Sequence, residues 1–248
     1  MRKLIFTVVL ACISMLSNGQ GKTLYHLTIV DPKLGSTSAF ETAWKAHLQK
    51  YHKGDDRRTV HEILSGDHAG KFQLISGPSA FADMDTERST DLAHDQDYDK
   101  TVVPAVQTMS GSYVYRHADT LSYNGEVVAD KFFTTIYNIR RGKFNDFTAE
   151  VKRAVATNKA INSANSYNAY VKLWTGTSPQ LVIVSNLKNG FKQMDAAFAP
   201  STSAAFKEQY IKSFGQEQWD KRQTSVMDFV ENTEVFISKL RKDLSSAQ

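Results

Sequence analysis

The chain of 248 residues is poor in the features that mark several large classes of protein. Cys12 is the only cysteine, so no intramolecular disulfide and no cysteine-based zinc site can form. The Gly-x-Ser-x-Gly, P-loop and Gly-x-Gly-x-x-Gly patterns are absent, which leaves hydrolase and nucleotide-binding interpretations without support. After residue 16 no apolar run is long enough to span a membrane.

The first twenty residues have the pattern of a secretory signal peptide, and we expect residues 1–20 to be removed on export. Basic residues precede an apolar stretch at 4–16, and small and polar residues follow it. Cleavage near Gly19 would leave a periplasmic or extracellular chain without cysteine. Lipoprotein processing with lipidation of Cys12 is the alternative, but the apolar run continues past Cys12, which favours simple cleavage.

Charge is spread along the chain, and this distribution is not that of a nucleic-acid-binding surface. The net charge is +4, and loss of Arg2 and Lys3 with the signal peptide lowers it to about +2. Basic residues are interleaved with acidic ones, whereas nucleic-acid binding needs a concentrated basic stripe. We expect no nucleic-acid partner.

The second half of the sequence repeats the first. Residues 81–85 read Phe-Ala-Asp-Met-Asp and residues 191–195 read Phe-Lys-Gln-Met-Asp. Residues 98–100 read Tyr-Asp-Lys and residues 219–221 read Trp-Asp-Lys. An internal repeat indicates that one structural unit occurs twice. We interpret the repeated Phe-x-x-Met-Asp as a packing and capping motif at the start of a helix.

Each half shows the pattern of a ferredoxin-like β-α-β-β-α-β unit. An alternating strand is followed by an amphipathic helix, two strands joined by a turn, a second helix and a closing strand. We predict a first unit over 21–124 and a second over 125–248. The second unit is longer around Pro200, where the extra residues could form a sheet edge or a lid.

A ferredoxin-like unit whose second helix begins with Phe-x-x-Met-Asp, doubled in one chain, resembles the dimeric α+β-barrel superfamily. Antibiotic-biosynthesis-monooxygenase-like and NIPSNAP-like proteins belong there, and the resemblance covers residues 23–245. It implies an α+β fold in which two antiparallel sheets face each other and close a barrel within one chain. Members include cofactor-free oxygenases, haem-binding enzymes, isomerases and proteins without known activity, so the fold alone does not choose a function.

All seven histidines lie in the first half, and two of them lie within predicted strands. Because His26 is opposite the apolar face of its strand, we expect it to point into the barrel, and His61 can do the same. A neutral imidazole there could act as base, metal ligand or haem ligand, or simply bond a neighbouring hydroxyl or carbonyl. The other histidines are interpreted as drift on exposed positions: His47, His52, His68, His94 and His117.

The histidine spacing supports no structural zinc site, so we expect no metal and, haem apart, no cofactor. Three strand aromatics are candidates for lining a pocket: Tyr137, Tyr170 and Trp174.

The sequence therefore favours an exported monomer or weak dimer that binds a small apolar or aromatic molecule between its sheets. Alternatives are a haem-handling or cofactor-free oxygenase using His26 or His61, and a protein–protein interaction module. Whether the chain is an enzyme is left open.

Overall fold

A computed structural model describes residues 21–53, 56–85, 92–126, 128–174, 178–197 and 200–246. The predicted signal peptide and Cys12 lie outside these residues. The strands are β1 (Leu24–Pro32), β2 (Arg58–Ile63), β3 (Phe72–Ser79), β4 (Val106–Met109), β5 (Tyr113–His117), β6 (Lys131–Ile139), β7 (Tyr167–Lys172), β8 (Gln180–Asn186) and β9 (Val230–Leu240). The helices are α1 (Thr37–Tyr51), α2 (Leu92–Thr101), α3 (Phe144–Ala160), α4 (Lys192–Ala197), α5 (Pro200–Phe214) and α6 (Gln216–Phe229).

Eight antiparallel strands close a barrel. Around the ring the order is β1, β3, β2, β9, β6, β8, β7 and β5, and β5 pairs again with β1. The short strand β4 pairs with the end of β1. The predicted α+β fold, with two ferredoxin-like units facing each other in one chain, is confirmed.

The two halves are joined by strand pairs that mirror each other. The last strand of the second half pairs with β2, where His61 lies opposite Leu240. The last strand of the first half pairs with β7, where Tyr115 lies opposite Lys172. Because both seams are backbone ladders, each half completes the sheet of the other.

The halves differ in their second helical region. Among the described residues, the first half has there a 3-10 turn at Phe81–Met84, the helix α2 and a second 3-10 turn at Val103–Ala105, whereas the second half has α4, α5 and α6. The extra residues around Pro200 form the helix α5, which packs against α3 and α6. The expectation of an edge or a lid is therefore wrong, because this segment belongs to the helical layer.

The Phe-x-x-Met-Asp motif is not the packing motif that we predicted. In the first copy it forms the separate 3-10 turn, and the side chains of Phe81 and Met84 are exposed. The capping part of the prediction holds, since the carboxylate of Asp83 accepts a hydrogen bond from the amide of Ala80 at 2.9 Å. In its first copy the motif therefore contributes turn chemistry rather than core packing.

Two cores lie outside the barrel, one beneath each long helix. The first gathers Phe40, Trp44 and Leu48 of α1 over the outer sheet surface. The second gathers Phe147 and Val151 of α3 in the same way.

Each core also contains a residue from the other half of the chain. Leu244, from a 3-10 turn after β9, joins the first-half core, and its carbonyl accepts a hydrogen bond from Trp44 Nε1 at 3.0 Å. Leu121, from the turn after β5, joins the second-half core. Among the helices of the described residues, none is long and apolar enough to cross a membrane.

Candidate functional site

The barrel encloses a cavity of about 510 Å³. Its wall combines aromatic and aliphatic side chains with a few polar ones, the composition typical of sites for small molecules. The aromatic members are Tyr25, Tyr113, Tyr115, Phe132, Tyr170 and Phe236. Two of them meet edge to face, since the rings of Tyr25 and Tyr170 are 5.4 Å apart at an interplanar angle of 84°.

The face of β1 that points into the barrel is the opposite of the one we predicted. Tyr25, Leu27 and Ile29 line the cavity, whereas His26 and Thr28 point outward to a second pocket under the helices. The prediction failed because both faces of this strand are covered, so hydrophobic alternation does not tell the cavity from the core.

Charged and polar groups at the cavity wall are held by identifiable partners. Tyr115 donates a hydrogen bond to the side-chain oxygen of Gln180 at 3.0 Å. Lys172 Nζ lies 3.9 Å from the ring centroid of Tyr113. Burial lowers the pKa of Lys172, and the nearby carboxylate of Glu234 partly opposes that shift. Burial raises the pKa of Tyr170, which keeps its phenol neutral and able to donate a hydrogen bond.

His61 does face the cavity, as the sequence suggested. Its ring packs on Phe132 with a centroid distance of 4.8 Å. Burial lowers the pKa of His61 to about 4, so the imidazole is neutral at neutral pH. The remaining accessible surface of His61 borders the cavity.

His68 also reaches the cavity wall, although we expected an exposed position at a hairpin tip. Its Nδ1 is buried and finds no hydrogen-bonding partner within the described part of the chain. The hairpin brings it there because Gly66, at φ +79°, lets the loop approach the backbone of Val235.

Of the three aromatic candidates, only Tyr170 lines the cavity. Tyr137 lies on the outer face of β6 and packs on Phe147 of α3 with a centroid distance of 5.1 Å. Trp174 follows β7, is 68% exposed and contacts the ring of Phe81. The sequence marked all three as strand aromatics but did not say which side of the sheet each would occupy.

A second pocket, of about 240 Å³, lies between the outer face of the first-half sheet and the helices α1 and α2. Three histidines meet at its wall. His47 comes from α1 and is 1% exposed, His52 follows the end of that helix and is 6% exposed, and His94 comes from α2 and is half-buried. The Nε2 atoms of His47 and His52 are 3.3 Å apart, and those of His52 and His94 are 3.4 Å apart.

Each of these histidines presents its other ring nitrogen to a carboxylate. The Nδ1–carboxylate distances are 2.9 Å for His47 with Asp97, 2.7 Å for His52 with Asp56, and 3.0 Å for His94 with Asp95. Burial lowers the pKa of His47, and the hydrogen bond to Asp97 opposes this. The hydrogen bonds from His47 and Lys50 hold the pKa of Asp97 below its usual value.

The interpretation of these histidines as drift on exposed positions is wrong for His47 and His52, which are buried. Their spacing conceals the cluster, because residues five apart do not share a helix face. The helix ends at Tyr51, however, and His52 adopts φ −105° and ψ 80°, where its ring meets that of His47. His94 is brought in by α2, which no local pattern could reveal.

Solved structures with this fold are similar to most of the chain. A candidate monooxygenase from Lactobacillus acidophilus is 13% identical, with a TM-score of 0.53, over 91% of this chain and 97% of its own. An anthrone oxidase-like protein is 9% identical, with a TM-score of 0.55, over 90% and 92%. A candidate monooxygenase from Fusobacterium nucleatum is 12% identical, with a TM-score of 0.55, over 91% and 94%.

At such identities the likeness concerns the fold alone. No protein-family model matches the sequence. No curated protein matches it significantly. The chain has the fold known as the dimeric α+β barrel. Here its two ferredoxin-like units follow each other in one polypeptide, which supplies both sheets.

Proposed function

We propose that this protein is a small-molecule-binding α+β barrel that holds an apolar or aromatic ligand in its central cavity. The observation that carries the proposal is the volume of about 510 Å³ together with its aromatic wall. Binding sites for small molecules commonly measure about 300–1,000 Å³ and join apolar walls to a few polar groups.

The wall indicates the chemistry of the ligand. The edge-to-face pair of Tyr25 and Tyr170 offers a surface for a flat aromatic ring. The neutral phenol of Tyr170 and the amine of Lys172 are donors, which suits a ligand with a hydroxyl, carbonyl or carboxylate oxygen. Glu234 sits on the same wall and disfavours a ligand with several negative charges.

Filling the cavity tests this proposal. Val184 lines the cavity, and Val184→Trp places an indole in the ligand's volume. The matched control is Val235→Trp, because Val235 is 51% exposed. The probe is 8-anilinonaphthalene-1-sulfonate, followed by anthrone, which the name of one similar structure suggests.

We expect the wild type and Val235→Trp to bind the probe at one site per chain and Val184→Trp to lose at least tenfold in affinity. Equal binding by all three proteins, with each folded by circular dichroism, would place the probe elsewhere and refute the proposal.

Haem handling or oxygenation with His61 is a second candidate. It is favoured by the neutral imidazole of His61 at the cavity wall, since neutral imidazole is the form that ligates metals. A pKa of about 4 makes His61 a weak general base at neutral pH. The residues therefore suit an iron ligand better than a proton acceptor.

Haemin titration separates this candidate from simple ligand binding. We expect a Soret shift in the wild type that His61→Ala abolishes and that His26→Ala leaves intact, because His26 lies on the other side of the sheet. A wild type without a Soret shift removes the haem hypothesis and leaves the binding proposal standing.

We also propose that the chain is exported after cleavage near Gly19. Intact mass of the protein from the periplasmic or medium fraction should show a chain that begins close to residue 20. A lipid-modified mass that Cys12→Ser abolishes would establish lipoprotein anchoring instead.

A further inference from the structure

We propose that His47, His52 and His94 bind one divalent transition-metal ion of the Zn²⁺ type, with an open coordination position facing the outer pocket. This site is separate from the barrel cavity, because the three histidines lie on the helix side of the first-half sheet. The metal proposal therefore stands or falls independently of the proposed ligand in the barrel.

The spacing of the nitrogens suits tetrahedral coordination. Zinc–imidazole bonds of about 2.0–2.1 Å at tetrahedral angles separate the two nitrogens by about 3.3–3.4 Å. The observed Nε2 separations are 3.3 Å between His47 and His52 and 3.4 Å between His52 and His94. One nitrogen from each histidine lies within 4.8 Å of the others. The third pair of nitrogens, from His47 and His94, comes to the same spacing when the half-buried side chain of His94 moves inward.

The hydrogen-bonding geometry of the three rings also suits a metal ion. An ionised carboxylate only accepts hydrogen bonds, so each Nδ1 that faces Asp97, Asp56 or Asp95 carries the proton. Nε2 is then the ring nitrogen that each histidine has left for a metal ion, and the Nε2 atoms of His47 and His94 both face that of His52. A single proton can bridge only one pair of nitrogens, whereas a metal ion satisfies all three.

Carboxylates behind the ligands are the usual support of a metal site. A histidine ligand commonly donates its second ring nitrogen to a carboxylate, which orients the ring and raises its basicity. Here all three histidines have such a partner. Lys50 in turn holds Asp97 from the other side at 3.1 Å. Three imidazoles without a carboxylate ligand favour Zn²⁺, Co²⁺, Ni²⁺ or Cu²⁺ over Mg²⁺ or Ca²⁺.

The fourth position opens on the pocket, as in zinc sites that exchange a ligand. The same pocket wall includes His26, Arg58 and Tyr98. Arg58 is paired there with Asp56 at 2.8 Å. The exchangeable ligand would therefore be water or a small anion held by the metal ion itself. A closed structural site would instead supply a fourth protein ligand.

Metal stoichiometry tests the proposal. Tag-free protein is dialysed against Zn²⁺ and analysed by plasma mass spectrometry, and affinity is measured in competition with a chromophoric chelator. We expect one Zn²⁺ per chain in the wild type and loss of at least a hundredfold in affinity in His94→Ala and His52→Ala.

The matched control is His117→Ala. His117 also pairs its Nδ1 with a carboxylate, that of Asp119 at 2.9 Å, but its Nε2 faces Asn168 and Ser122 instead of other histidines. This variant should bind Zn²⁺ as the wild type does. Circular dichroism on every variant verifies folding, and His94→Gln supplies a milder change at the most exposed ligand.

Substitution with Co²⁺ reports geometry without an activity assay. We expect the intense visible bands of four-coordinate Co²⁺ and a change in those bands when azide is added. Three results would each overturn the proposal: no Zn²⁺ bound by the wild type, undiminished binding by folded His94→Ala and His94→Gln, or weak six-coordinate Co²⁺ bands.

Discussion

At the scale of single residues, the two halves place different chemistry beneath their first long helix. In the first half α1 carries His47, which meets His52 just after the helix end and His94 of α2. In the second half α3 carries Glu150, which is 2% exposed. Its carboxylate accepts hydrogen bonds from the hydroxyl of Tyr210, at 2.8 and 3.0 Å, and from Arg153 and Arg222. The repeat thus preserves the scaffold while the buried polar groups diverge.

Glu150→Gln should destabilise the protein by about 2–3 kcal/mol in urea unfolding. Removing one partner of a buried ion pair leaves its counter-charges unpaired, and the partial exposure of Arg153 and Arg222 moderates the cost. Glu217→Gln is the control, since its ion pair with Lys221 is exposed and its loss should have no measurable effect. Equal midpoints for the two variants would show that the Glu150 cluster contributes nothing to stability.

The pKa of His61 should make stability fall on acidification. The pKa is about 4 in the folded chain against about 6.5 for an unperturbed histidine, so the unfolded chain binds more protons between these values. The contribution of neutral His61 to the free energy of unfolding is fully present above pH 6.5. It is lost as the pH falls towards 4, and the loss is about 3 kcal/mol at most. Unfolding curves of His61→Gln should show a shallower acid loss than wild type. Equal acid loss in the wild type and in His61→Gln would mean that the pKa of His61 is not lowered by folding.

At the scale of elements, short turns as well as strands connect the two halves. Residues 119–122 and 242–245 both end in Leu-Ser, a repeat that the sequence comparison overlooked because it spans only two residues. The hydroxyl of Ser245 accepts a hydrogen bond from the amide of Val60 at 3.0 Å, and that of Ser122 accepts one from Ala169 at 2.9 Å. Each turn therefore satisfies a strand amide in the opposite half.

Leu244→Ala should cost about 3 kcal/mol of stability, because its side chain is 2% exposed within the first-half core. Leu34→Ala, at a residue that is 100% exposed, is the comparison and should leave the melting temperature unchanged. A Leu244→Ala protein as stable as wild type would show that the turn after β9 is dispensable.

The elements were largely predictable from the sequence, whereas the sites were not. Alternation and turn residues indicated β1, β3 and their partners, because those signals are local. The side of the sheet occupied by His26 or Tyr137 depends on which surface the helices cover, which no single strand records. The histidine cluster needs a helix end, a following residue and a second helix to converge.

At the scale of the whole molecule, barrel closure joins the two halves through the seams β2–β9 and β5–β7. Unfolding of one half alone would break both seams and leave strand edges of the other half unpaired. The repeat in the sequence predicted two units but did not specify these seams, since strand pairing between distant segments leaves no periodic trace.

We therefore expect a single unfolding transition. Trp44 reports on the first-half core and Trp219 on the helices of the second half, where it contacts Tyr210. Two variants are compared, each keeping Trp44 or Trp219 as its single tryptophan. In each variant the urea midpoint by fluorescence should coincide with that by far-UV circular dichroism. Separated midpoints within one variant would mean that the halves unfold independently.

The mirrored seams also allow two chains to trade halves. A dimer in which β9 of one chain pairs with β2 of another would reproduce every ladder of the monomer, and only the connection between β5 and β6 would change course. That connection is held in the monomer by Tyr123, which pairs with Tyr167 across the halves. Because the two halves are linked, each is present at a high effective concentration relative to the other, which favours pairing within one chain. The segment around Tyr123 therefore sets the protein concentration at which exchange between chains begins.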